Sequence, residues 1–264
     1  MAIVAPKESS RINVLREHAQ YGDIKSDIVF EFKFDERQNM LDIIEAHNLD
    51  DLVKGKSDAE TAITLMNWLC QHYKHGNPPR RICEDKPTPQ AIMAAADTWE
   101  NRTNCRGLSL ILAQLIRAYN IKAFHITCMP YEEPFDDCHV VVCVYSERLR
   151  KLIMLDPTFN LYARNKAGEI IGVDEFRKFM IAGFNVSLND DSYSHLYGGL
   201  DGYKEYMTKN LVRIERSAVN GYGLDTEEGS VVLLSENYMQ NEAKSFPSDE
   251  QAAFITSREY FWQV

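Results

Sequence analysis

The polar and apolar positions in the first half of the chain predict three helices. Ser57 and Glu60 form a capping box, and the apolar residues that follow repeat at helical spacing over about residues 59–75. A second, shorter helix is expected from Thr88, which has Pro89 behind it at the first helical position, to about residue 98.

The third predicted helix begins at about Cys105, with Asn104 or Thr103 as its N-cap and Asn120 near its end. Its apolar stripe has the spacing i, i+3, i+4 and i+7. The stripe consists of Leu108, Ile111, Leu112 and Leu115. Because a helix begins with exposed N–H groups and the positive end of its dipole, a cysteine in the first turn is favoured as the thiolate.

After this helix the pattern is typical of strands. Apolar runs cover residues 122–129, 139–145 and 151–155, and a period of two over residues 27–34 predicts a further strand. Since helices come first and neighbouring strands follow, the sequence predicts an α+β fold in which helices pack on an antiparallel sheet.

Beyond Asp156 the pattern is weaker. We expect a turn at residues 165–168, a short helix over 174–182 that ends at Gly183, and additional strands and covering loops over 189–264. The predicted organisation is an N-terminal extension, a catalytic core, and C-terminal strands and loops that belong to the same domain. Their ranges are 1–56, 57–185 and 186–264.

Composition narrows the function classes. The formal net charge of -10 argues against non-specific binding of nucleic acid or anionic membranes, since both require a cationic face. No signal peptide and no apolar run of membrane-spanning length is visible, so we expect a cytoplasmic protein. The oligomeric state stays open.

The six cysteines include no Cys-x-x-Cys pair. Four of them lie in apolar segments and are interpreted as small buried residues. They are Cys70, Cys128, Cys138 and Cys143. A zinc site could gather Cys70, His72, His75 and Cys83, but their spacing fits no common ligand pattern. We therefore expect no metal and no cofactor.

Cys105, His139 and Asp156 each lie at the boundary of a predicted element. Each has an ordinary structural interpretation when taken alone, as a helix-start thiol, a strand-edge imidazole and a turn carboxylate. Together they are a nucleophile, a base and an orienting carboxylate, which is what covalent acyl transfer requires. Arg106 could add positive potential beside the thiol or could point into water.

A hairpin with a two-residue loop at Glu147–Arg148 would place His139 directly opposite Asp156. In that geometry the carboxylate accepts a hydrogen bond from one ring N–H and sets the tautomer. The loop lacks the usual Asn-Gly signal, so this register is a hypothesis.

The segment Asn-Cys-Arg-Gly-Leu-Ser, the run Asp-Cys-His-Val-Val-Val, and Leu-Asp-Pro-Thr at residues 155–158 resemble the transglutaminase-like superfamily. The resemblance covers about residues 60–160. It implies a papain-like fold with Cys105 as nucleophile, His139 as general base and acid, and Asp156 as the residue that orients the histidine. The side chain that completes the oxyanion hole is not identified, and Trp68 and Trp99 are interpreted as core residues.

This resemblance implies acyl transfer through a thioester. Hydrolysis of a peptide or amide bond, in a peptide, a protein or a small amide, is the first hypothesis. Transfer to an amine, as in transglutaminases or amide-forming biosynthetic enzymes, is the second. A binding module that uses the same fold without catalysis is the third.

Overall fold

The computed structural model describes residues 10–77, 86–132, 134, 137–226, 229–241 and 252–264. Its helices are α1 (Ser10–Glu17), α2 (Glu36–Asn39), α3 (Leu41–Ala46), α4 (Leu49–Val53), α5 (Asp58–His72), α6 (Pro89–Asp97), α7 (Cys105–Arg117), α8 (Val173–Ala182), α9 (Gly199–Asn210), α10 (Glu236–Asn241) and α11 (Arg258–Phe261), with a 3-10 turn at Ser194–Tyr197. Its strands are β1 (Glu31–Phe32), β2 (Lys74–His75), β3 (Arg102–Thr103), β4 (Ala123–Met129), β5 (His139–Ser146), β6 (Lys151–Leu155), β7 (Ala163–Arg164), β8 (Ser187–Leu188), β9 (Arg213–Ser217), β10 (Val219–Asn220), β11 (Ser230–Leu233) and β12 (Ala252–Ile255).

A six-stranded sheet in the order β12-β11-β9-β4-β5-β6 organises the fold. Its strand pairs are antiparallel, except that β11 and β12 are parallel. Together with the helices on both faces, this sheet confirms the predicted α+β class. Within the described ranges, no helix is long and apolar enough to cross a membrane.

Apolar side chains cover both faces of the sheet. Along β5, Val142 and Val144 face a cluster that includes α5 and α7, whereas Val141 and Cys143 face a cluster built with α8 and α9. A strand buried on both faces becomes a continuous apolar run, and β5 has this pattern. Residues before 57 and after 185 also belong to these apolar clusters. The division of the chain into the segments 1–56, 57–185 and 186–264 stays a prediction.

The helices predicted in the first half of the chain are confirmed, and their ends have the expected caps. Glu60 accepts a hydrogen bond from the Ser57 backbone N–H at the start of α5. The Thr88 side chain accepts from the Ala91 backbone N–H at the start of α6. The later helix, α8, ends at Gly183 in the left-handed region, as expected from the sequence.

The predicted register of the β5–β6 hairpin is wrong by two residues. Val142 pairs with Leu155 and Ser146 with Lys151, so the loop has four residues, 147–150. Arg150, the last residue of this loop, has a left-handed φ of 53°. Because a shift of two residues preserves the side of each side chain, residues 139 and 156 remain on one face as diagonal neighbours.

Two further expectations are corrected. The extended run over 27–34 is a strand only at Glu31–Phe32, and after it Phe34 has a left-handed φ of 50°. Its alternating apolar residues instead pack on the sheet cluster as irregular chain. The segment 189–264 contains the twelve-residue helix α9 as well as strands and loops.

Candidate active site

Cys105 is the first residue of α7, as predicted. Asn104 is the N-cap, and its side-chain oxygen accepts a hydrogen bond from the Gly107 backbone N–H at 2.9 Å. Thr103 packs against Gly107 so closely that a Cβ there would lie 2.2 Å from the threonine oxygen. The first turn of α7 is therefore fixed by a cap on one side and a close contact on the other.

One turn into α7, a hydrogen bond joins the helix to β5. Ser109 donates from its hydroxyl to the Val140 carbonyl at 2.9 Å, and both groups are buried. The backbone of the same Val140 also helps to lower the pKa of the Cys105 thiol. The Ser109 bond and this interaction link the start of α7 to the strand that begins with His139.

His139 and Asp156 form a buried pair. The Nε2 atom of His139 lies 2.7 Å from Oδ2 of Asp156, and the two side chains are 1% and 0% exposed. The interaction of His139 with the Cys105 sulfur lowers the pKa of the thiol and raises the pKa of the ring. Since Nε2 faces the carboxylate, Nδ1 is the ring nitrogen left to interact with the thiol. The three predicted residues are thus connected in series.

The Asp156 carboxylate accepts three hydrogen bonds. Besides His139, the hydroxyl of Tyr203 donates to Oδ2 at 3.0 Å, and the backbone N–H of Thr158 donates to Oδ1 at 3.0 Å. The Asp156 backbone also exchanges two hydrogen bonds with Leu161 that close the turn. A fully buried carboxylate needs such donors, because desolvation otherwise disfavours its charge.

Aromatic rings enclose the His139–Asp156 pair. The Tyr206 ring meets His139 edge-on with ring centroids 5.0 Å apart, and Phe159 lies 5.9 Å from the same ring. Tyr203 in turn packs against Phe159. This enclosure keeps water from the ion pair, which strengthens its electrostatic interaction.

The pKa directions favour an ion pair between cysteine and histidine. Burial raises the pKa of the Cys105 thiol, but the interactions with His139 lower it by a larger amount. The net pKa therefore lies below the ordinary 9.0. Burial lowers the pKa of His139, but the charge and hydrogen bond of Asp156 outweigh it, so the net pKa lies above 6.5. Lowered thiol and raised imidazole pKa values together favour thiolate and imidazolium.

Arg106 does not act as an unpaired positive charge beside the thiol. Its guanidinium makes two hydrogen bonds to the Asp225 carboxylate, at 2.9 and 2.7 Å, and a third to the Thr226 hydroxyl at 2.9 Å. The His125 Nε2 atom lies 2.9 Å from the same carboxylate. Burial raises the pKa of Asp225, but His125 and Arg106 hold it well below its usual range. Arg106 therefore anchors the loop that contains Asp225 next to the site.

Tyr203 and Tyr206 are not among the residues predicted from the sequence, because their segment was expected to form strands and loops. A signal was present: apolar or aromatic residues repeat every three or four positions through α9 and its C-cap. They are Leu200, Tyr203, Met207 and Leu211. Chain spacing gave no hint that this helix would pack beside His139 and Asp156.

The remaining cysteines and tryptophans mostly have the predicted structural roles. Cys70 is buried, and its thiol donates to the Pro157 carbonyl at 3.1 Å. Cys138 is partly exposed, contrary to expectation, because it precedes β5. Trp68 is a core residue, 6% exposed. Cys83, from the alternative zinc set, lies outside the described residues, and the part of the chain described contains no cluster of three or more metal-ligating side chains.

Comparison with known proteins gives only partial similarities. No protein-family model matches the chain, and no curated protein matches it. Similar solved structures include a candidate cysteine protease from Cytophaga hutchinsonii, with 16% identity and a TM-score of 0.35, covering 66% of this chain and 58% of that one. A transglutaminase has 16% identity and a TM-score of 0.31, with 47% and 31% covered. A candidate protease from Parabacteroides distasonis has 10% identity and a TM-score of 0.29, with 61% and 30% covered.

This chain spans less than two thirds of the length of each of these proteins. With TM-scores below 0.5, the similarities carry no argument about the reaction. The chemistry is inferred from the geometry of Cys105, His139 and Asp156.

Proposed function

We propose that this protein is a transglutaminase-like cysteine hydrolase that cleaves a peptide or amide bond through a thioester on Cys105. The observation that supports the proposal is the 2.7 Å contact of His139 with the buried Asp156 carboxylate, together with the interaction of His139 that lowers the pKa of the Cys105 thiol at the start of α7. Its substrate is a peptide, a protein or a small amide.

In the first half-reaction the Cys105 thiolate attacks the carbonyl carbon, and the electron pair of the C=O bond moves to oxygen. The Nδ1–H of the His139 imidazolium then donates its proton to the departing nitrogen as the C–N bond breaks. The products are an amine and a thioester on the cysteine. Asp156 keeps the ring oriented throughout and stabilises its positive charge.

In the second half-reaction water enters where the amine left. Nδ1 of the now neutral His139 accepts a proton from the water as its oxygen attacks the thioester carbon. The C–S bond breaks and releases a carboxylic acid, and the thiolate–imidazolium pair is restored. If an amine takes the place of water, the same steps form a new amide.

Thiol labelling tests the activated nucleophile. We expect iodoacetamide at neutral pH to label Cys105 much faster than the partly exposed Cys138 in the same protein, as mapped by peptide mass spectrometry. His139→Ala should abolish this preference. Equal rates at the two cysteines, or a preference that survives in the variant, would show that Cys105 is not activated and would support a binding module.

A second experiment tests whether water or an amine accepts the acyl group from Cys105. The protein is incubated with acyl-donor peptides and simple amides, with and without a primary amine. Hydrolysis products that disappear in the Cys105→Ser variant support the proposal. Amide products without hydrolysis would contradict it and would establish an amine acyltransferase instead.

A further inference from the structure

Attack of a thiolate on a carbonyl carbon places negative charge on the oxygen, and this oxyanion needs preorganised hydrogen-bond donors. The backbone N–H of Cys105 is one suitable donor. It lies in the first turn of α7, where helical N–H groups have no intrahelical partner, and it has no acceptor among the described residues. A second donor must come from a neighbouring element.

One neighbouring element is β2. It pairs in parallel with β3, the strand that leads directly into Asn104 and Cys105. In this pairing His75 lies opposite Thr103, two residues before the nucleophile. The chain thus places an imidazole alongside the approach to the first turn of α7.

The backbone of His75 is held in place on both sides. The N–H of Lys74 donates to the Asn101 carbonyl at 2.9 Å, and the N–H of Gly76 donates to the Thr103 carbonyl at 2.9 Å. Arg102 donates from its guanidinium to the carbonyl of His75 itself at 3.2 Å. A donor that stabilises a transition state has to be fixed before the reaction, and this backbone meets that condition.

Trp99 helps to fix the same segment. A Cβ at Gly76 would lie 3.0 Å from two atoms of the Trp99 ring, both in its six-membered half. The indole N–H belongs to the opposite half of the ring. Trp99 therefore presents carbon atoms to this segment and packs against it.

His75 is an exposed residue, and no hydrogen bond of its ring nitrogens is found within the described ranges. Partial burial lowers the pKa of His75, and the nearby charge of His139 lowers it further, against a smaller opposite effect of Asp156. A neutral imidazole retains one N–H to donate. It also avoids placing a second positive charge beside the His139 imidazolium.

We propose that His75 is a catalytic residue whose ring N–H, together with the backbone N–H of Cys105, forms the oxyanion hole. This inference rests on the proposed acyl-transfer function and names a residue for it. The substrate carbonyl oxygen would then lie between the first turn of α7 and the end of β2.

The test compares two reactions of the same thiol. Acylation by p-nitrophenyl acetate passes through an oxyanion, whereas alkylation by iodoacetamide does not. We expect His75→Ala to slow acylation by about 100-fold, as is typical for the loss of one oxyanion donor. Alkylation of Cys105 should change little. His75→Gln, which restores an N–H donor, should recover most of the acylation rate, whereas His75→Phe should not.

His195→Ala is the matched control, because His195 is an exposed histidine on the 3-10 turn. It should acylate like the parent protein. The inference is overturned if His75→Ala acylates at the parent rate, or if it slows acylation and alkylation equally. Absence of acylation in the parent protein, with Cys105 still alkylated rapidly, would instead overturn the proposed function.

Discussion

Replacement of Asp156 by asparagine removes one charge from the site without changing the size of the side chain. Three donors converge on the carboxylate, from His139, Tyr203 and Thr158. An asparagine has a single oxygen, so its NH₂ group must face one or more of them. If the NH₂ faces Nε2 of His139, the ring proton moves to Nδ1, and the ring can no longer accept a proton from Cys105.

The magnitude follows from the 2.7 Å contact between His139 and Asp156. A hydrogen bond to a charged group contributes about 1.5–3 kcal/mol. Since each 1.4 kcal/mol corresponds to a factor of about ten, loss of this bond should slow reactions of the thiolate by about 10- to 100-fold. The wrong tautomer would add to this loss.

The pH dependence changes in a defined direction. In the parent protein the ion pair exists between the lowered pKa of Cys105 and the raised pKa of His139. As the pH increases, the reactivity of Cys105 rises when the thiol loses its proton. Catalytic turnover falls at higher pH, when the His139 imidazolium loses its proton. Without the Asp156 charge, burial dominates and lowers the pKa of His139, so the thiol loses its cationic partner. The pKa of Cys105 therefore rises and the pKa of His139 falls, and the pH range in which the ion pair exists becomes narrower.

The assay is the second-order rate of alkylation of Cys105 by iodoacetamide, measured across the acidic and alkaline range. Asp51→Asn serves as the control, because Asp51 is exposed on α4 and changes the net charge by the same amount. An Asp156→Asn variant that is alkylated at neutral pH at the parent rate, with the parent pH profile, would refute the assignment of the orienting role.

Three further substitutions test the packing that supports the site. Tyr203→Phe removes a buried donor to Asp156 and should cost about 1.5–3 kcal/mol, which lowers the melting temperature by several degrees; an unchanged melting temperature contradicts this role. Asn104→Ala removes the N-cap of α7 and should cost about 1 kcal/mol in urea unfolding, whereas no loss would mean that the cap contributes nothing. Gly107→Ala should destabilise the fold by about 1–3 kcal/mol because its Cβ would meet Thr103, and Thr103→Ala in the same chain should restore most of the loss in a melting experiment.

Local patterns in the sequence were sufficient to predict helices and their ends, because these depend on residues that are close together in the chain. The N-cap and apolar stripe placed Cys105 in the first turn of α7, and both depend on residues within a few positions of one another. The same holds for the short helix that ends at Gly183. The sequence also predicted that His139 and Asp156 would share a face, since side chains alternate along any strand.

Contacts between distant segments could not be predicted in this way. The donor from Tyr203 to Asp156 spans 47 positions, and the pairing of Arg106 with Asp225 spans 119. A hydrophobic period shows that a helix has a buried face, but it does not specify which surface that face will cover.

The sequence by itself therefore determined which three residues could perform acyl transfer and on which elements they lie. Only the tertiary structure decided how they are held: which ring nitrogen faces the carboxylate, which side chains satisfy the buried carboxylate, and that Arg106 is paired. It also placed His75 opposite Thr103, two residues before the nucleophile, through the β2–β3 pairing. The physical reason is that helices and caps arise from neighbouring residues, whereas hydrogen bonds to a buried charge arise wherever packing of the whole chain brings a donor within reach.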